Sequence, residues 1–405
     1  MATLRQALER QRENGKLPQG DVVSLRGLHQ DFHPSPSGSA RALLLKMFEG
    51  VSKKLPWAII LCRFKGSAPD PELEEPIERF YREIFTPGSG GLIEYWRDVS
   101  LGAIDITGSR IFGWVEVEIP RKKAGGTPPG PNGTTPPGPG RSGLVNVAIS
   151  AVQRDGGDPL GGFHSQIAIY AHNWSKDGVT QDDGDFATGW GPFWIDGSAD
   201  SRGKVTLTPP HAGDLTEHEM GHGFGMKHDV SADFQTHYAD PCCIMSQAPL
   251  FRHPVWKVMF GPAVCLPHLI QQDWMYRQRV FIDDGAWMLL ADGITLPLAP
   301  TSDPGARANL GIKLTYKKAD AAWDYYLEYA RPTGWNQGLS DASLFIRRIG
   351  PGKDIGDTPA ILGSMIVPNT IGTRAQFVEP SGNVRFQVER FDPEGRIVRV
   401  NAKKL

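Results

Sequence analysis

The run His218-Glu219-Met220-Gly221-His222-Gly223-Phe224-Gly225-Met226-Lys227-His228, followed at once by Asp229, constrains this chain more than any other segment. Residues four apart on a helix share a face, so His218 and His222 aim two imidazoles at one point. Glu219 sits beside the first of them, within reach of a water molecule held there. Gly225 lets the helix stop, because glycine enters the left-handed conformation that other residues resist. The chain then turns back and brings in His228 as a third nitrogen donor. Three neutral imidazoles and an open fourth position suit a catalytic zinc ion. An ordinary core or surface helix can carry histidines too, but it has no need of a glutamate and a glycine at fixed offsets from all three. A metal-free relative that kept the spacing would most simply have lost Glu219.

Composition bounds the remaining possibilities. The 405 residues suffice for two or three domains. With 40% hydrophobic and 22% charged residues the chain is globular rather than disordered. A formal net charge of -2 leaves no basic excess to neutralise phosphates, so nucleic acid is not an expected partner. No apolar run is long enough to span a bilayer. The N-terminus, Met1 to Arg10, lacks the apolar centre of a secretory signal, so either the chain is made without a leader or one was removed. Compartment stays undecided on these grounds. The cysteines Cys62, Cys242, Cys243 and Cys265 are too few for a disulfide scaffold. Cys242 or Cys243 bridges to Cys265, or all are free buried thiols; spacing does not choose between these readings.

Along the chain, residues 1–50 read as a polar N-terminal extension. Trp57 to Phe64 is a buried strand, and Pro71 to Phe85 a helix with Ile77, Phe80, Tyr81 and Ile84 on one stripe. Gly90-Gly91 open a second helix through Leu92, Tyr95 and Trp96. Ala103 to Ile119 alternates as one long strand or a hairpin around Gly108. Residues 125–140, dominated by Pro, Gly and Thr, read as a loop or linker. Leu144 to Val152 is a helix, and Gln166 to Tyr170 a strand. The aspartates and glycines of Asp177 to Asp185 either offer oxygen ligands to calcium or form a solvated turn; their spacing is not that of an EF-hand. Trp190 to Ile195 and Val205 to Leu207 are short strands leading to the histidine helix, which Asp214 or Thr216 caps, with Glu217 or Glu219 in its first turn. A helix is expected at Leu269 to Tyr276. From Arg279 onward short strands with turn signals suggest a β-sandwich: Val280 to Ile282, Trp287 to Ala291, Ala308 to Tyr316, Asp324 to Tyr329, Ser343 to Arg347, Gln376 to Val378, Val384 to Glu389 and Ile397 to Val400.

The extended H-E-x-x-H-x-x-G-x-x-H run resembles the active-site signature of the metzincin zinc peptidases. With Asp229 after the third histidine and Cys243-Ile244-Met245 later, it is similar to the adamalysin branch in particular. That likeness covers little beyond the helix and the Met245 segment. Trp96 to Gly113, and Tyr325 to Tyr329 with Gly334-Trp335-Asn336, resemble immune inhibitor A-like bacterial peptidases. The resemblance implies an α+β fold: a zincin-like catalytic domain over 51–278, with a mixed β-sheet and an active-site helix, then an all-β sandwich-like domain over 279–405. It implies a zinc-dependent endopeptidase that hydrolyses peptide bonds of a protein or peptide substrate. His218, His222 and His228 would hold Zn2+, and a zinc-bound water would be activated by Glu219. Met245 would form a hydrophobic floor, and Asp229 would hydrogen-bond near the Met-turn, with Ser246 as partner. Secretion is usual for such families. Some metzincins add a tyrosine ligand two places after the methionine; Gln247 stands there. No cysteine precedes Cys62, so latency through a cysteine switch is not expected.

A second function class is a catalytically inactive metzincin-like protein whose β-rich C-terminal region binds a glycan or a protein through Trp323, Tyr325 and Trp335; aromatics in a sandwich are, however, usually core. His211, His237 and His253 lie near the motif and could assist substrate binding, though a lone histidine is more often a surface residue.

Overall fold

A computed structural model describes residues 52–121, 140–154, 158–172, 203–208, 211–233, 235–246, 251–318, 321–350, 358–390 and 392–405. The N-terminal extension 1–50, nearly all of the 125–140 loop, the acidic segment Asp177 to Asp185, the predicted strand Trp190 to Ile195, and Gln247 lie outside these residues. The fold is mixed α/β, with many strands in several sheets and few helices. No helix among the described residues is long and apolar enough to cross a membrane.

The first half is built on a four-stranded sheet of β1 (Trp57–Arg63), β2 (Arg110–Glu116), β3 (Ser165–Tyr170) and β4 (Val205–Leu207), in the order β2-β1-β3-β4. Every pairing among these strands is parallel. Among the described residues this four-stranded sheet is all-parallel, whereas the six-stranded sheet that takes in Val230–Ser231 is mixed. Parallel neighbours require crossovers, and helices fill those from β1 to β2 and from β2 to β3. Helix α1 (Pro71–Ile84) and α2 (Leu92–Val99) lie between β1 and β2, and α3 (Gly140–Val152) lies between β2 and β3. Ala103 to Ile119 is thus no hairpin: Gly108, at φ +97°, turns the chain so that β2 enters parallel to β1.

The continuous apolar run of β1 follows from burial on both faces. Trp57, Ile59 and Leu61 point into a core shared with α1 and α2, while Ala58, Ile60 and Cys62 pack against Leu144, Val145 and Ala148 of α3. All six β1 residues from Trp57 to Cys62 are fully buried. Burial of each large side chain there contributes about 1.5–3 kcal/mol. Helix α1 begins at Pro71, with the Asp70 carboxylate accepting the Leu73 N–H, and buries Ile77, Phe80, Tyr81 and Ile84 as the sequence stripe requires.

Beyond β4 the histidine helix α4 (Gly213–Gly223) is followed by β5 (Val230–Ser231) and a short helix α5 (Leu266–Gln271), three residues earlier than expected. The second half holds β6 (Val280–Asp283), β7 (Ile294–Leu298), β8 (Gly311–Lys318), β9 (Ala321–Ala330), β10 (Ser343–Ile349), β11 (Ala360–Ile366), β12 (Arg374–Val378), β13 (Val384–Arg390) and β14 (Val398–Lys404). These form a six-stranded sheet, β6-β8-β9-β10-β11-β5, and a four-stranded one, β7-β14-β13-β12. One core, including Leu314, Tyr325, Ile346, Phe386 and Val400, draws on both sheets. The expected strand Trp287 to Ala291 is instead a 3-10 turn over Ala286–Leu289. Asp283 explains it: its Oδ1 accepts the N–H groups of Gly285 and Trp287, and Gly285 adopts φ +101°. Strand β5, only two residues beyond His228, pairs in parallel with β11. The segment behind the histidines is therefore an edge of the second-half sheet.

Candidate metal centre

Helix α4 starts at Gly213, and its N-cap is Ala212, which has no side-chain cap. The expected capping by Asp214 or Thr216 does not occur; Thr216 Oγ1 donates back to the Ala212 carbonyl at 2.8 Å. Asp214 instead lies in the first turn with an unpartnered, buried Oδ1, and burial pushes its carboxyl up to about 7. Glu217 is fully buried and accepts the Gly261 N–H at 2.9 Å. Burial, then the neighbouring Asp214 charge, raises it well above the usual carboxylate range.

The C-terminal end forms as the sequence predicts. Gly225, at φ +93°, donates to the His222 carbonyl at 2.8 Å, and Met226 donates to the Gly221 carbonyl at 3.1 Å. These two bonds are the paired closure of a left-handed helix stop. Phe224, the last helical cap, sits among Trp57, Trp96 and Trp274 at ring-centroid distances of 5.4, 4.8 and 5.5 Å. Met245 is fully buried, and a side chain at Gly221 would drive into its sulfur. The methionine thus packs directly beneath the helix turn that carries the histidines.

The chain reversal brings the three imidazoles together. His222 Nε2 and His228 Nε2 are 2.8 Å apart, and His218 Nε2 and His228 Nε2 are 3.2 Å apart. His218 Nδ1 donates to the Ile244 carbonyl at 2.7 Å, and His222 Nδ1 donates to the Met226 carbonyl at 2.8 Å. Carbonyls only accept, so both Nδ1 atoms carry the proton and both Nε2 atoms present lone pairs. His228 Nε2 can donate to only one of them. At least one close nitrogen contact therefore opposes two lone pairs, unless a cation lies between. Zinc–nitrogen bonds of 2.0–2.1 Å imply nitrogen separations of roughly 3.3 Å at tetrahedral angles, near the spacing seen. Burial, then the neighbouring imidazoles, depresses His218 to about 4 and His228 to about 2, so these two rings are neutral donors at neutral pH. The donor set fits a divalent metal ion.

Glu219 lies on α4 between the first two histidines and is 3% exposed. The Asp229 backbone meets the Met245 segment, its N–H donating to the Met245 carbonyl at 3.3 Å. Its side chain does not reach Ser246, whose Oγ accepts the Asp240 N–H; Asp229 Oδ1 lies 3.1 Å from His268 Nε2 and accepts from Cys265 Sγ at 3.9 Å. His211 and His253 are not surface residues. Both are buried, the first bonded to the Tyr81 hydroxyl at 2.9 Å and the second stacked 4.2 Å from Trp256. His237 is exposed, with its ring 5.9 Å from that of His228. Tyr238, which the sequence pattern does not single out, adopts φ +61° and lays its ring 4.3 Å from His228 and 5.9 Å from His218. A cavity of about 370 Å³ lined by Gln153, Asp158, His164 and Lys204 does not include the triad.

All four cysteines are free and buried. Tyr325 and Trp335 are core residues, and Trp323 is half-buried against the second-half core. No family model and no curated protein matches the chain.

Proposed function

We propose that the chain is a zinc-dependent endopeptidase with a zincin-like catalytic unit, in which His218, His222 and His228 hold the ion. The observation that carries this reading is the convergence of the three Nε2 atoms, with two of the Nδ1 atoms tied to backbone carbonyls. Three protein nitrogens would hold such an ion and would leave room at it for substrate or solvent. A divalent ion in this position supplies Lewis acidity, polarising the scissile carbonyl and acidifying water. The Ile244 and Met226 carbonyls hold the imidazoles in the required tautomer and raise their basicity. Met245 and the Trp57–Trp96–Trp274 cage fix the helix end so that His228 returns to the same point. Glu219 takes the proton of the attacking water and passes it to the leaving nitrogen, a role that needs a carboxylate beside the ion rather than on it.

The test is cleavage of casein by the wild-type chain, by Glu219→Ala, and by chelator-treated protein, with zinc content measured in each. Proton transfer of this kind contributes about 100- to 10,000-fold in rate, so Glu219→Ala should keep its zinc and lose at least about 100-fold in kcat. A variant as active as wild type would remove Glu219 from the chemistry, and a wild-type chain that binds no zinc would remove the reading altogether.

A further inference from the structure

A second group of metal-binding side chains lies behind the triad, assembled from four points of the sequence. Asp229 follows the third histidine, Cys243 precedes Met245 by two residues, Cys265 caps α5, and His268 lies on α5. Each offers one ligand atom, and the four atoms all lie within 4.8 Å of one another. All four residues are buried, between 0% and 1% exposed. We propose that Asp229, Cys243, Cys265 and His268 form a second, structural metal site that takes a zinc-like divalent ion.

Unpartnered atoms point into this site. His268 Nδ1 faces Gln271 Oε1 at 3.1 Å, which places the proton on Nδ1 and the lone pair on Nε2. His268 Nε2 lies 3.1 Å from Asp229 Oδ1 and makes no hydrogen bond. Asp229 Oδ2 is likewise buried without a partner. Two buried polar atoms left in this state destabilise the fold. A shared ion satisfies both. At zinc bond lengths of 2.0–2.3 Å, tetrahedral ligand separations are roughly 3.3–3.8 Å. The 3.1 Å nitrogen–oxygen and 3.9 Å sulfur–oxygen distances bracket that range. Two sulfurs, one nitrogen and one oxygen, all from protein and with no open corner, make a closed structural site rather than a reactive one. Binding leaves both sulfurs as thiolates, so two protons pass to solvent as the ion enters. The site would join the turn after His228, the Met245 segment and α5, and so set the position of the third histidine from behind.

The experiment uses the full chain. Zinc content should be two per chain for wild type and one for Cys243→Ser/Cys265→Ser. A His218→Ala/His222→Ala variant should also retain one. Replacing zinc with cobalt should give a sulfur-to-cobalt charge-transfer band in the near ultraviolet, in wild type and in the His218→Ala/His222→Ala variant. If the cysteine variant fails to fold, the wild-type cobalt spectrum decides alone. Absence of that band, or an intact mass two hydrogens lower from a Cys243–Cys265 disulfide, overturns the second site. A single zinc with the thiolate band would leave this proposal standing and reject the histidine triad instead.

Discussion

Arg347 of β10 should be the most costly single charge to remove from this protein. Its side chain is fully buried. The guanidinium pairs with the Asp240 carboxylate and donates to Glu328 Oε2 at 2.6 Å and to the Cys242 carbonyl at 3.1 Å. Asp240 and Glu328 are themselves 0–1% exposed, and Glu328 also accepts the Leu266 N–H that opens α5. Arg347→Met keeps most of the volume and leaves two buried carboxylates without a counter-ion. Breaking a buried pair in this way costs about 3–5 kcal/mol. At roughly 1 °C per kcal/mol for a chain of 405 residues, the thermal midpoint should fall by roughly 3–6 °C. The loss should also depend on pH. Burial already pushes Asp240 and Glu328 upward against the pull of Arg347, and removing Arg347 raises both further. A carboxyl raised in the native state holds a proton that the unfolded chain has lost, so stability falls as pH rises above the ordinary carboxylate range. The deficit of Arg347→Met should therefore be smallest near pH 4 and grow toward pH 8. Adding Asp240→Asn and Glu328→Gln should return much of it. Thermal unfolding followed by tryptophan fluorescence across that range, at fixed zinc, measures both effects. A stability within about 1 kcal/mol of wild type at pH 8, or a loss that ignores pH, would refute the buried-network account.

Gly225→Ala should cost about 1–2 kcal/mol through its left-handed backbone alone, because the new methyl would meet only Gln272 Nε2, at an ordinary 3.9 Å. Gly221→Ala should also destabilise, despite a gain of about 1 kcal/mol in helix propensity, because the methyl meets the Met245 sulfur. In a Met245→Ala background the same change should become stabilising, which urea titrations of the four proteins would show. Asp214 is raised from 3.8 to about 7, so it withdraws stability as pH climbs through that window, and Asp214→Asn should flatten that part of the stability–pH curve. In chelator-treated protein, His218 is depressed from 6.5 to about 4. Stability should fall as pH drops through that interval, and a curve that is flat there would contradict the burial of the triad.

Local chemistry was the legible part of this chain. The histidine spacing, the Gly225 stop and the α1 stripe each act through neighbours a few residues away, and each stands where the spacing puts it. Features made by contact across long separations were not legible. Nothing in the spacing of Asp229, Cys243, Cys265 and His268 announces that four ligand atoms meet, because three separate turns bring them together. The same holds for Arg347 and Asp240, 107 positions apart. Two strands of five or more residues are not legible for a different reason. Strand β7 contains Pro297, which marks an interrupted strand in sequence but is tolerated at the edge of its sheet, where β7 lies. Strand β11 contains Gly363, where a side chain would collide with the Phe377 ring.

These long-range contacts bear on what the second half does for the triad. The residues that follow His228 are held on one side by α4 and on the other by the six-stranded sheet, through the β5–β11 pairing and the Arg347–Asp240 pair. Trp335, far along the chain, packs 5.1 Å from Tyr95 of α2 within the first-half core. A helix can place His218 and His222 by its own periodicity, but His228 lies beyond the helix stop and has no such template. Its position depends on where the returning strand is anchored, and that anchor is the sheet. The β-rich half therefore supports the return of His228 to the other two imidazoles.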